Sequence, residues 1–162
     1  MISVWCRIFA TKVIAPEPTE LIDYLRSWCI EVQGRFSGDD QGWWRAELIT
    51  ESNDPAVILE RFLTEEDDIR PELNTWAAWL EAVEDNPHNF PLMRQIIGTQ
   101  QLITVYETFD PSVAGGGNPL HPWICPFLAE RLEGVYQVDN FGFCSAEGKL
   151  LVPERAGETL HE

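Results

Sequence analysis

The sequence predicts an α+β fold in which two βαββ units, ferredoxin-like in arrangement, form one antiparallel-rich sheet covered by helices. The order strand, proline-bearing loop, helix and two hairpin strands occurs in residues 2–50 and again in residues 101–153. Between them, residues 54–98 form a helical connection, because prolines there precede apolar residues at helical spacing. Residue identity between the halves is slight, so the internal repeat rests on element order alone. Two separate four-stranded layers are the alternative arrangement.

The first strand, residues 2–9, has an alternating pattern that predicts an aliphatic face packed on a core. Trp5 and Phe9 share the opposite face, which indicates that helices cover this face as well. The two sets of alternating residues are Ile2, Val4, Cys6 and Ile8 on one face, and Ser3, Trp5, Arg7 and Phe9 on the other.

A helix over residues 19–29 and a hairpin around the turn 37–41 complete the first half. Adjacent strand residues point to opposite faces, so one of Trp43 and Trp44 is expected in the core and the other near solvent. An exposed tryptophan beside Arg45 is typical of an interface anchor and is compatible with a homodimer. The alternative is that both tryptophans are core residues.

Three helices are predicted in the connection. Asp54-Pro55 resembles a helix start, followed by a helix through residues 57–63 that ends in the acidic run 65–68. The acidic spacing does not match a calcium loop and indicates a solvated face. Pro71 and Pro91 open the second and third helices, and their apolar stripes are expected to cover the second face of the sheet.

The second half contains a candidate ligand loop. Gly115, Gly116, Gly117 and Asn118 precede a helix over residues 123–132, where free backbone amides gather, and His121 lies beside them. The alternative is a flexible loop, because no lysine or arginine follows before Arg131. Strands are predicted on either side of this loop and helix, at residues 102–106, 135–138, 141–144 and 149–152.

The charge of the chain restricts its partners. The 162 residues form a single domain, 1–162, with a loose tail at 154–162, and carry 27 acidic against 11 basic side chains, a net charge of −16. This field repels phosphate backbones and anionic membranes, so neither nucleic acid nor membrane is an expected partner. A basic protein would be attracted. The alternative is that the charge serves solubility alone.

The sequence contains no pattern that indicates a cofactor or metal site. Its three histidines are far apart, and no phosphate-binding or nucleophile motif occurs. Tyr136, Asp139, Asn140 and Glu147 are the residues of the second hairpin that could supply an acid–base pair, although turn chemistry is the simpler interpretation.

The cysteines and the N-terminus indicate a cytoplasmic protein. The four widely spaced cysteines are typical of reduced core thiols. Neither a signal peptide nor a long apolar span is present in the sequence.

Three functional hypotheses follow. The first is a non-enzymatic, acidic, tryptophan-rich protein that acts by protein–protein interaction, as an inhibitor or toxin-neutralising partner does. The second is a small-molecule binding module with a pocket between the two halves. The third is an enzyme that uses His121 with a nearby carboxylate.

Overall fold

The computed structural model describes residues 1–113 and 118–154. In these residues the elements are, in chain order, β1 (Ile2–Ala10), α1 (Pro18–Ser27), β2 (Gln33–Asp39), β3 (Gly42–Ile49), β4 (Val57–Leu63), α2 (Arg70–Glu81), α3 (Asn89–Ile97), β5 (Gln101–Phe109), α4 (His121–Arg131), β6 (Gly134–Val138), β7 (Gly142–Cys144) and β8 (Leu150–Pro153). The strands form a single eight-stranded sheet in the order β2-β3-β4-β5-β1-β6-β7-β8. Every neighbouring pair is antiparallel. The predicted α+β class and antiparallel sheet are confirmed.

The pairing of β1 with β5 is the centre of the sheet. The two strands run antiparallel along their full length, from Ile2 opposite Phe109 to Ala10 opposite Gln101. β4 pairs with the outer side of β5, and β6 pairs with the outer side of β1. The last five residues of β1 are buried, as expected for an interior strand covered on both faces.

Helices cover both faces of the sheet. One core lies between the sheet and α1 with α4, and it is built around Cys6, Ile8, Leu25, Val105 and Leu128. The other core lies between the sheet and α2 with α3, and it is built around Phe9, Leu73, Trp76, Leu102 and Phe143. The predicted alternation of β1 is confirmed, because Cys6 and Ile8 belong to the first core and Phe9 to the second.

The prediction of a helix over residues 57–63 is wrong, because this segment is β4, an interior strand between β3 and β5. A short apolar run is compatible with either helix or strand, and tertiary pairing decides between them. Val57 and Leu59 enter the α1–α4 core, while Phe62 packs on the opposite core. The acidic run that follows is a series of exposed turns, in which Asp67 Oδ2 accepts a hydrogen bond from the Leu63 amide at 2.7 Å.

The repeat of two βαββ units is not confirmed. In the first half, β4 extends the predicted hairpin to a three-stranded meander, β2-β3-β4. This meander joins the central pair through its last strand, β4. In the second half the meander β6-β7-β8 joins the central pair through its first strand, β6. The two meanders therefore attach with opposite polarity, which element order along the chain does not reveal.

A buried polar network fastens the segment after β1 to the sheet. Arg61 is 7% exposed, and its Nε donates to the Gln101 side chain. Its other nitrogens donate to the backbone oxygens of Val13 at 2.8 Å and Trp43 at 3.1 Å. Gln101 Nε2 in turn donates to the Lys12 oxygen at 2.8 Å. Burial lowers the pKa of the Arg61 guanidinium.

Three of the four cysteines lie together in the α1–α4 core. Cys6, Cys125 and Cys144 are fully buried, whereas Cys29 is exposed, so the prediction of core thiols is wrong for Cys29. Burial, followed by a hydrogen bond with Cys6, raises the pKa of the Cys125 thiol well above its usual value. Burial also raises the pKa of Cys144.

None of the helices in the described residues is both long and apolar enough to cross a membrane.

We expect Arg61→Met to lower the free energy of unfolding by about 3 kcal/mol, because it leaves buried carbonyl groups without a donor. Urea denaturation measures this loss. Arg94→Met is the matched control, since Arg94 is exposed, and it should change stability by less than about 0.5 kcal/mol. Equal effects of the two substitutions would contradict the structural role of Arg61.

We expect the thiol of Cys29 alone to react rapidly with an alkylating reagent in the native protein near pH 8. The thiols of Cys125 and Cys144 stay protonated at this pH because their pKa values are raised, and Cys6 is inaccessible. Mass spectrometry counts the labelled sites with and without denaturant. Rapid labelling of the native Cys29→Ser variant would contradict this assignment.

Candidate functional site

A cleft of about 540 Å³ lies where the two halves of the chain meet, and we call it the junction cleft. The segment after α1 and the loop between β3 and β4 form one wall. The end of β5 and the approach to α4 form the other. The lining residues are Cys29, Ile30, Glu31, Thr50, Glu51, Ser52, Asn53, Ala56, Glu107, Thr108, Phe109, Asn118 and Leu120.

Hydrogen bonds fix the loop that forms the first wall. Thr50 and Asn53 bond to each other through their backbones, which closes a tight turn after β3. The Asn53 side chain donates to the Thr108 oxygen at 3.0 Å and so ties this turn to β5. The cleft therefore has a defined shape without a ligand.

Among the described residues that line the cleft, Glu107 is the one buried carboxylate, at 1% exposure. It lies on β5, on the same side of the strand as Ile103 and Val105, which are core residues. Its oxygens accept hydrogen bonds from the backbone amides of Leu120 at 2.5 Å and His121 at 3.0 Å. A carboxylate at the amino end of a helix satisfies free amides and interacts favourably with the helix dipole.

The imidazole of His121 completes the contacts of Glu107. Its Nδ1 lies 2.8 Å from Glu107 Oε1, and the imidazole is 16% exposed. An ionised carboxylate only accepts hydrogen bonds, so Nδ1 carries the proton and donates it to this bond. The imidazole is thus fixed in orientation against Glu107.

The lining of the cleft is acidic. Glu31, Glu51 and Glu107 contribute carboxylates, and the described lining includes neither lysine nor arginine. Arg26 lies 3.7 Å from Glu31, but both side chains are largely exposed, so this ion pair is weak. A cationic group is the ligand chemistry that such a lining favours.

At the start of α4, which the sequence indicated as a ligand site, the free backbone amides are already bonded to a side chain of the protein. Gly115, Gly116 and Gly117 lie outside the described residues, and Asn118 lines the cleft. The two amides at the start of α4 are bonded to Glu107, so a side chain of the protein occupies the position where an external anion would bind. His121 is not among the described lining residues of the cleft, but it is hydrogen-bonded to Glu107, which is.

The second group of candidate residues divides between the core and the surface. Trp43 is 7% exposed, and its indole donates to the Pro16 oxygen at 2.8 Å. Trp44 is 51% exposed, so the expectation of one inward and one outward tryptophan is confirmed. Arg45 is half-buried on β3 and lies near Glu47 and Glu60. Of these residues only Trp44 and Arg45 reach the surface.

The acid–base candidates of the second hairpin do not form one site. Tyr136 is buried beside the thiols, and burial raises its pKa. Asp139 instead accepts a hydrogen bond from the buried Arg7 at 2.8 Å. Glu147 is fully exposed, and a hydrogen bond from Ser145 lowers its pKa.

A second cavity, of about 650 Å³, lies at the end of α2 against Pro153. Its charged lining residues within the described ranges, Glu84 and Asp85, are both exposed. The junction cleft is therefore the stronger candidate, because a fixed, buried carboxylate faces it. In the described part of the chain, no group of three or more histidine, cysteine or acidic side chains is arranged to hold a metal ion.

Sequence reasoning missed Glu107, although a signal was present. The segment 103–109 alternates, and Glu107 occupies the position where the pattern of Ile103 and Val105 calls for a third apolar residue. A charged residue at a core position requires a partner. Its partner, the start of α4, follows more than ten residues later in the chain, so spacing alone could not identify it.

Comparison with known proteins gives no family assignment: no family model, curated protein or solved structure matches the chain.

We expect Glu107→Gln to lower the free energy of unfolding by about 2–3 kcal/mol, because an amide places a donor against donors and removes the charge at the helix start. Thermal or urea unfolding measures the loss. Glu65→Gln is the control, since Glu65 is an exposed turn residue and its substitution should be nearly neutral. A neutral Glu107→Gln would mean that these hydrogen bonds contribute no stability.

Proposed function

We propose that the protein is a non-enzymatic binding protein that takes a positively charged group of a protein partner in the junction cleft. The observation that carries this proposal is the acidic lining of a preformed cleft, with Glu31 and Glu51 at its exposed wall and Glu107 buried behind them. The excess of 27 acidic over 11 basic residues gives long-range attraction for a basic partner. An acidic inhibitor of a basic enzyme or toxin is a protein of this kind.

A small organic cation is the second candidate ligand. The volume of about 540 Å³ lies within the usual range of small-molecule sites, roughly 300–1,000 Å³. The same carboxylates would bind an amine or guanidinium group of a small molecule. Spermidine and free arginine are suitable probes, and a ligand of this type would raise the unfolding temperature as its concentration increases.

The enzyme hypothesis has weaker support. The Glu107–His121 pair has the geometry of an oriented general base, since the carboxylate fixes the imidazole. A nucleophilic mechanism also requires a nucleophile within hydrogen-bond distance of the imidazole. Among the described residues, Glu107 is the sole hydrogen-bond partner of the His121 side chain.

We also propose that the two halves of the chain arose by duplication, with the cleft at their junction. β1 and β5 are paired at the centre of the sheet, and each is followed by a helix that packs on the same face. The opposite attachment of the two meanders counts against a simple repeat.

The test is calorimetric titration with a short peptide of alternating lysine and glycine, at low and at high salt. We expect binding that weakens with salt, and a loss of about fivefold in affinity in the double variant Glu31→Gln/Glu51→Gln. The matched control is Glu65→Gln/Glu66→Gln, which removes the same charge from an exposed turn outside the cleft lining. Equal binding by wild type and both double variants would show that the cleft does not bind the cation.

A further inference from the structure

The outer surface of α1 and α4 carries four aromatic side chains, which we call the aromatic strip. Tyr24 and Phe127 lie with ring centroids 4.4 Å apart, and Trp28 and Trp123 lie 4.7 Å apart. In each pair one ring belongs to α1 or its C-cap and the other to α4. The strip therefore runs along the groove between the two helices.

One end of the strip remains open to solvent. Trp28 is 53% exposed, while Tyr24, Trp123 and Phe127 are half-buried. Packing α1 against α4 accounts for the half-buried rings. It does not account for a tryptophan that leaves half of its surface in water, which is more typical of an interaction surface.

In the described part of the chain, a cation lies over the aromatic ring at one end of the strip but not at the other. The guanidinium of Arg131 lies 5.8 Å from the centre of the Phe127 ring, and it also pairs with Glu20. Within the described part of the chain, neither Trp28 nor Trp123 has a cation over its ring. Tryptophan is the aromatic residue that binds cations best, so the end with the stronger binding surface is the unoccupied one.

The open end of the strip borders the junction cleft. Trp28 immediately precedes Cys29, which lines the cleft. Trp123 lies in the first turn of α4, three residues after Leu120, whose backbone amide donates to Glu107. The exposed indole of Trp28 and the carboxylates of the cleft thus lie next to each other. The arginines of α1 and α4 are already paired with acidic residues of this chain, Arg26 with Asp23 and Arg131 with Glu20.

We propose that the Trp28–Trp123 end of the strip and the junction cleft together dock an arginine-containing, extended basic segment of a protein partner. One guanidinium stacks on the outward face of Trp28, whose other face packs against Trp123. A neighbouring cationic side chain on the same side of the segment enters the cleft beside Glu31 and Glu51. Alternate side chains of an extended chain are about 6.6 Å apart, so one segment can supply both groups. This inference rests on the proposed function of the cleft.

Arginine fits this surface better than lysine. A guanidinium is planar and weakly hydrated, so it stacks on an indole while it still donates to carboxylates. An ammonium group is a compact, strongly hydrated charge that gains less from an aromatic face. A second copy of this chain is a poor occupant, because two chains that each carry a net charge of −16 repel one another.

The test compares two peptides of equal length, one of alternating arginine and glycine and one of alternating lysine and glycine. We expect wild type to bind the arginine peptide several-fold more tightly. The double variant Trp28→Leu/Trp123→Leu should lose this preference, with a drop of about tenfold in affinity for the arginine peptide. Trp44→Leu is the matched control, because Trp44 is 51% exposed but lies on β3, and it should leave both affinities unchanged.

The outcomes separate the two proposals. Equal affinity for both peptides, together with an unaffected tryptophan double variant, overturns the docking surface even if Glu31→Gln/Glu51→Gln still weakens binding. If the cleft variant has no effect either, the proposed function fails as well. A change from dimer to monomer in the tryptophan double variant, measured by light scattering, would identify the strip as a self-interface and also overturn the inference.

A measurement on the wild-type protein tests the docking surface even if the leucine variants fail to fold. Titration of the arginine peptide into ¹⁵N-labelled protein should shift the indole N–H resonances of Trp28 and Trp123 and leave that of the buried Trp43 in place. Shifts confined to Trp44, or no indole shift at saturating peptide, would overturn the docking surface.

Discussion

The pairing of β1 with β5 is the constraint on which the rest of this structure depends. It joins residues 2–10 to residues 101–109, with every residue of the one strand opposite a residue of the other. Because this pair lies at the centre of the sheet, both of its faces are covered, by α1 and α4 on one side and by α2 and α3 on the other. Arg7, Gln101 and Glu107 are the polar side chains of these strands that are buried, and each needs a partner from another part of the chain.

Buried polar side chains connect the sheet to its irregular segments. Arg7 on β1 is held by Gln137 at 2.9 Å and by Asp139, and its guanidinium lies over the Trp76 ring of α2. Gln101, the first residue of β5, anchors the segment after β1 through two backbone oxygens. Glu107, near the other end of β5, accepts a hydrogen bond from the backbone amide of Leu120 at the start of α4. Such bonds add modest net stability, but leaving any of them unmade is costly, so they select one arrangement of loops and helices.

The same arrangement positions the residues of the proposed binding surface. Glu107 fixes where α4 begins, and the start of α4 in turn sets the cleft wall and the position of Trp123 beside Trp28. The acidic lining acts at short range on a cation, whereas the net charge of −16 acts at long range on the approach of a basic partner. In the proposed docking surface, aromatic faces and negative charge together favour arginine over lysine, because a planar, weakly hydrated guanidinium stacks on an indole while it still donates to carboxylates.

The sequence by itself determined the α+β class, the two-faced burial of β1 and the two helices that have Pro71 and Pro91 in their first turns, because these depend on local periodicity and backbone restriction. Only the tertiary structure decided that residues 57–63 form a strand and that the two meanders attach with opposite polarity. It also decided that Glu107 caps α4. Each of these depends on contacts between residues distant in the chain, and a linear pattern carries no information about which distant segment becomes the neighbour.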